Sequence, residues 1–131
     1  RGDELRVSPG GQHVAFTSYQ SGRADVYLAT FPGFTETRQL SASGGRQPLW
    51  RRDGRELFYL TLQGVLMAVD ISPAPHAVPG APRPLFDTHR APTSSRHQFA
   101  VTADGQRFLV IEWKEQTITV LVNWLGRSGS E

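Results

Sequence analysis

The chain has no cysteine. That removes disulfides, zinc–thiolate sites, iron–sulfur clusters and a cysteine nucleophile together. Lysine is nearly absent: Lys114 is the only one, and the remaining basic residues are arginine. Formal net charge is only +2, too weak a field to draw nucleic acid, so no such partner is expected. No stretch approaches the roughly 18 apolar residues of a membrane-spanning helix, and no membrane insertion by this segment is expected. No segment carries a helical period. The G-x-S-x-G signature of a serine nucleophile is missing. Hydrophobic residues make up only 38%.

What the chain does have suits β-structure. Three Trp, seven Phe and three Tyr supply a sheet core, and 13 Gly with nine Pro supply turns. One phrase occurs three times: a strand-like stretch, a polar turn ending in Gly, then an apolar run. The copies are Val7-Ser8-Pro9-Gly10-Gly11 into Val14-Ala15-Phe16, Trp50-Arg51-Arg52-Asp53-Gly54 into Leu57-Phe58-Tyr59-Leu60, and Val101-Thr102-Ala103-Asp104-Gly105 into Phe108-Leu109-Val110-Ile111. The closing glycines stand at 11, 54 and 105, a period of about 43 and then about 51 residues. A period of roughly 40–50 residues built from strands alone is the spacing of β-propeller blades. The expected fold is therefore all-β: a propeller fragment of about three four-stranded blades.

The blade units are read as about 3–40, 46–87 and 97–125, in one domain over 1–131, with a tail at 126–131. Each offers three clear strands, and the first two a weak fourth (37–40 and 84–87). The Pro-, Ala- and Gly-rich segment Ser72–Pro84 cannot be a helix or a central strand and reads as a surface excursion. No signal-peptide pattern is read, and the abrupt start at Arg1 reads as a piece of a longer protein.

Propeller ligands meet the innermost strands near the axis. Counting back from the turn glycines gives three equivalent pairs at the start of those strands: Asp3/Glu4, Arg46/Gln47 and His97/Gln98. These are the channel or ligand candidates. Glu4 and His97 are the candidate metal ligands, since a carboxylate and an imidazole can share a divalent cation. The plainer alternative is polar lining of a wet channel. His13, His76 and His89 have no partner at ligand spacing and read as solvated. Gly44-Gly45 opens no helix and so is no phosphate loop. Asp53 and Asp104 read as turn residues. Trp50, Trp113 and Trp124 read as packing residues.

The three turns are similar to the S-P-D-G turn of TolB-type, WD40-like propeller repeats. Further stretches extend the likeness: Val26-Tyr27 with Phe31-Pro32-Gly33, Gly44-Gly45-Arg46-Gln47-Pro48-Leu49-Trp50, Glu56-Leu57-Phe58-Tyr59-Leu60, Leu66-Met67-Ala68-Val69, Gly80-Ala81-Pro82-Arg83-Pro84-Leu85-Phe86, and Ile118-Thr119-Val120-Leu121-Val122-Asn123-Trp124. Together they resemble the last three blades of the C-terminal propeller of bacterial serine/threonine protein kinases. Gly10 stands where the family has Asp, and Ala103 where it has Pro. The kinase motifs themselves are absent, so kinase activity does not carry over.

The resemblance implies a ring of about six blades, of which this chain supplies three. Two copies would close it, so a homodimer is expected. The function expected is a non-catalytic binding or scaffold module with a protein or small-molecule ligand, bacterial and extracytoplasmic by resemblance. The alternative is a promiscuous metal-dependent hydrolase of esters or phosphotriesters, with a divalent ion in the axial channel.

Overall fold

The computed structural model describes residues 2–73, 77–92, 98–114 and 117–124, with residues 2–3 and 111–124 described by their backbone. The expected tail at 126–131 lies outside them. The described residues form three antiparallel sheets and no helix. The first runs in order β1 (Gly2–Val7), β2 (His13–Ser18), β3 (Asp25–Thr30) and β4 (Arg38–Gln39). The second runs β5 (Arg46–Trp50), β6 (Glu56–Leu60), β7 (Val65–Asp70) and β8 (Arg83–Asp87). The third pairs β9 (Phe99–Val101) with β10 (Phe108–Lys114), and β10 with β11 (Thr117–Trp124). Each sheet is one blade.

The turn that repeats in sequence repeats in geometry. Gly11, Gly54 and Gly105 each donate a backbone bond of 2.9 Å to the residue three back: Ser8, Arg51 and Thr102. Their φ angles are +77°, +74° and +72°, a region open to glycine and costly for most other residues. The positive φ falls on Gly11 and not on Gly10. Asp53 and Asp104 serve their turns as expected, accepting from the N–H groups of Arg55 at 2.9 Å and Gln106 at 3.0 Å.

Side chains along a strand alternate between faces. In β6, Leu57 and Tyr59 enter a cluster with Ala15, Val26 and Leu28 of the first blade. Their neighbours Phe58 and Leu60 enter another with Phe99 and Phe108 of the third. One strand thus feeds two cores, which is why β6 is buried along its whole length and reads as an unbroken apolar run. Phe58 meets Phe108 edge-on at 5.1 Å between ring centroids, a favoured aromatic geometry.

The excursion after β7 folds back on itself, bridging Ile71 to Pro79. The tight loop before β7 depends on Gly64, whose φ is +97°. A Cβ there would stand 2.7 Å from the Arg90 carbonyl oxygen. Gly64→Ala is therefore expected to cost at least about 2 kcal/mol in urea unfolding, from left-handed strain and a backbone clash that cannot relax cheaply. Gly10→Ala, which meets nothing within 4 Å, should change stability by less than about 0.5 kcal/mol.

Candidate functional site

Of the equivalent positions at the inner strands, Glu4, Arg46, Gln47 and Gln98 come together, inside the seams between blades. Glu4, Gln47 and Gln98 are all buried, Gln47 completely. The Gln47 backbone N–H donates to Glu4 Oε1 at 2.9 Å, and the Gln98 backbone N–H donates to Gln47 Oε1 at 2.8 Å. The side chain of each blade therefore holds the backbone of the next at the same place. Gln47 Nε2 also donates to Gln98 Oε1 at 3.4 Å.

A bulge makes this possible. Between Asp3 and Arg6, two residues of β1 oppose one of β2, and between Arg46 and Leu49 the same irregularity occurs in β5. Glu4 and Gln47 sit in those bulges at φ +54° and +60°. The bulge turns the peptide out of its own ladder, so its N–H can face the preceding blade. Pro48, which has no N–H to offer, fits the bulged strand for that reason.

The Glu4 carboxylate is fully engaged by protein. The Thr17 hydroxyl donates to Oε1 at 2.7 Å, and Arg46 Nη2 lies 3.2 Å from Oε2. A divalent ion at Glu4 would have to displace these bonds. Asp3 is described by its backbone, which pairs with Thr17. His97, the other candidate metal ligand, lies outside the described residues, as does His76. Among the described residues no three His, Asp or Glu gather as a metal donor set. His89 is exposed, with its Nδ1 3.6 Å from Asp87.

His13 departs from its solvated reading: it is only 7% exposed. It lines a cavity together with Trp50 and the start of the excursion from the second blade. Trp50 packs against the first seam, as expected, and its Nε1 donates to the Arg6 carbonyl at 2.9 Å. The side chains of Trp113 and Trp124 lie outside the described residues.

Two buried acids carry no repeat signal in the sequence. Glu56 pairs with Arg51 at 3.1 Å and with Arg83. Asp25 receives the Ser41 hydroxyl at 2.6 Å, the Gly44 N–H at 2.8 Å, the Ser21 hydroxyl at 2.7 Å and Arg23 Nε at 3.1 Å. Burial pushes its carboxyl up, and the bonds from Ser41, Ser21, Arg23 and Gly44 outweigh that, leaving its pKa below the ordinary 3.8. Burial raises the neighbouring Tyr59 phenol to about 12, helped by the Asp25 charge.

The Glu4, Gln47 and Gln98 groups that meet in the seams bond to one another's blades, an arrangement that positions blades. Two outcomes follow. Glu4→Leu removes the acceptor for the Gln47 N–H and the Thr17 hydroxyl and should cost about 3 kcal/mol in urea unfolding. Glu4→Gln, which copies the residue used one blade later, should cost less than about 1 kcal/mol. Because the folded pKa of Asp25 is depressed, its contribution is complete above about pH 4 and is lost as pH falls through the folded value. Asp25→Asn should therefore flatten the acid limb of a stability–pH curve below pH 4, measured by thermal unfolding.

No family model matches the chain, and no curated protein matches it. Solved structures do. TolB from Acinetobacter baumannii superposes with a TM-score of 0.60 at 15% identity, covering 89% of this chain and 28% of that one. Oligogalacturonate lyase from Vibrio parahaemolyticus gives 0.56 at 18%, covering 85% of this chain and 30% of that one. The β-propeller domain of the trilobed protease from Pyrococcus furiosus, which has an open velcro topology, gives 0.51 at 10%, covering 92% of this chain and 43% of that one. The chain spans less than half the length of each. At such identities the likeness fixes the fold alone: the chain is built of β-propeller blades, similar in fold to part of TolB.

Proposed function

We propose that this chain is a non-catalytic binding and scaffold module that rebuilds a six-bladed ring by pairing with a second copy of itself. We further propose, from the motif likeness alone, that it derives from the C-terminal propeller of a bacterial serine/threonine kinase and works outside the cytoplasm.

One observation carries the ring. Phe58 faces the next blade and is fully buried; Leu109 holds the equivalent place in the third blade and is 39% exposed. The other end differs in part: Val14 and Phe16 are already buried, and the open apolar residues there are others. Val14 and Phe16 occupy the places of Leu57 and Tyr59, the residues a blade turns toward its predecessor. Leu5, Val7 and Phe34 lie exposed on the first blade. Apolar end faces of this kind need cover. The third blade of one copy against the first blade of another repeats the seam already present twice in each chain. Around a two-fold axis that contact closes after two copies. In the closed ring Gln98 stands where Glu4 and Gln47 stand in the inner seams, ready to hold the Glu4 peptide of the second copy.

Light scattering should return twice the chain mass of 14.5 kDa. Leu109→Glu should convert the dimer to folded monomer, because a buried seam does not accept an unpaired carboxylate. A wild-type mass of one chain would overturn the ring.

A further inference from the structure

The three sheets differ at their outer edges. In the first blade β4 pairs with β3, and in the second β8 pairs with β7. In the third, nothing among the described residues pairs with the outer edge of β11, a strand of eight residues. An open strand edge presents a row of peptide groups that another strand can join.

The repeat shows twice what such an edge takes. Arg38 stands opposite Leu28, and Arg83 opposite Ala68. Leu28 and Ala68 are equivalent, because they face the equivalent residues Ala15 and Phe58. Further along, Leu40 donates its N–H to the Val26 carbonyl at 2.7 Å. Phe86 stands opposite Leu66, the counterpart of Val26, with a register shift that admits Leu85 as one extra residue. The two apolar side chains play one part. Leu40 is buried in the cluster that holds Ala15 and Leu57. Phe86 packs on the cluster of Phe58 and Phe108, its ring 5.8 Å from that of Phe108. Each outer strand thus sets one anchor in the seam with the following blade. In the third blade the place of Ala15 and Phe58 belongs to Leu109, which is 39% exposed. Among the described residues no outer-strand anchor stands beside it. Opposite Leu109 and Ile111 on β10, the β11 counterparts of Leu28 and Val26 are Asn123 and Val120.

We infer that the outer edge of β11, over residues 120–123, binds an extended segment of a partner polypeptide by antiparallel strand addition. Main-chain bonds give the affinity, and one Leu or Phe, set opposite Val120 and beside Leu109, gives the selection. Apart from Leu125, residues 125–131 are Gly, Ser and charged residues, a composition that strands disfavour, so the occupant assigned is a partner's segment. The leading arginine matters less, because Glu56 holds Arg83 in the second blade and Arg107 has the place of Glu56 in the third. The inference gives the binding module a ligand class and rests on that reading. It does not rest on ring closure, and it is compatible with it: in the first seam the anchor Leu40 and the next blade share one cluster.

The test is a titration of the ¹⁵N-labelled full chain with a capped peptide that copies residues 82–88. The readouts are the shifts and hydrogen exchange of the β11 backbone amides. Those that do not pair with β10 should exchange rapidly in the chain alone and slow at least about tenfold at saturation. The Kd should be about 1 mM or tighter. Phe86→Ser in the peptide should weaken binding at least about tenfold, the weight of one buried aromatic anchor. A copy N-methylated at the amides that pair with β7 in the native strand keeps every side chain and should not bind. No saturation up to about 10 mM, well above that Kd, would overturn the inference. So would undiminished binding of either altered peptide, or slow exchange along the whole of β11 before peptide is added. Light scattering on the same samples separates the two readings. A monomer that takes up the peptide would end the ring and keep the edge site, and a dimer that does not would do the reverse.

Discussion

The bond from the Gln47 peptide to the Glu4 carboxylate is the constraint on which the rest of the architecture turns. Blades stack through apolar faces, and apolar faces alone can slide. A directional bond from a buried backbone group fixes where along its neighbour each blade stands. The left-handed residue in the bulge is its structural cost, of the order of 1–2 kcal/mol in backbone strain. That strain persists because an unbonded peptide N–H in the seam would cost as much or more. Glu4 and Gln47 show that charge is not required at this position. What they share is an oxygen at the end of a side chain of that length.

A chain assembled this way is quasi-one-dimensional. Each sheet knows only the sheet before it and the sheet after it, so the middle blade carries two finished seams and each end blade one. Residues built for a neighbour are present at the ends regardless. Val14 and Phe16 are as apolar as Leu57 and Tyr59. Part of the first face is screened by its own chain: Phe34 lies against Phe16 at 5.7 Å and against Phe31 at 6.1 Å. Leu5 and Val7 remain open beside it.

The sequence made some of this readable and hid the rest, for physical reasons. The turn glycines were legible because a left-handed corner is a local demand that few residues meet. Strand order followed, because short polar loops leave antiparallel neighbours little choice. The positions of Glu4, Gln47 and Gln98 were legible as equivalents, by counting. Their placement in the seams was not, because it depends on a bulge that leaves no composition signature. Asp25 was invisible: its partners Ser41 and Gly44 lie 16 and 19 residues away, and nothing at the equivalent place in the next blade repeats it. His13 was misread as exposed because the cavity it lines is shared with another blade, which no local pattern announces.

Repetition also separates structural demand from freedom. Where the three units agree, as at the turn glycines and the seam acceptors, the backbone is setting the residue. Where they disagree, it is not. The place shared by His13, Glu56 and Arg107 holds three different side chains, so no bond common to the blades requires any of them. Glu56 answers two arginines supplied by its own sheet, Arg51 and Arg83. His13 has no such pair around it and faces a cavity instead. A side chain that the scaffold does not specify marks a position released from the fold's own needs. Among the described residues, Glu4, Gln47 and Gln98 are set by the seams and Glu56 by its own sheet, while no bond of the scaffold dictates the side chain at His13.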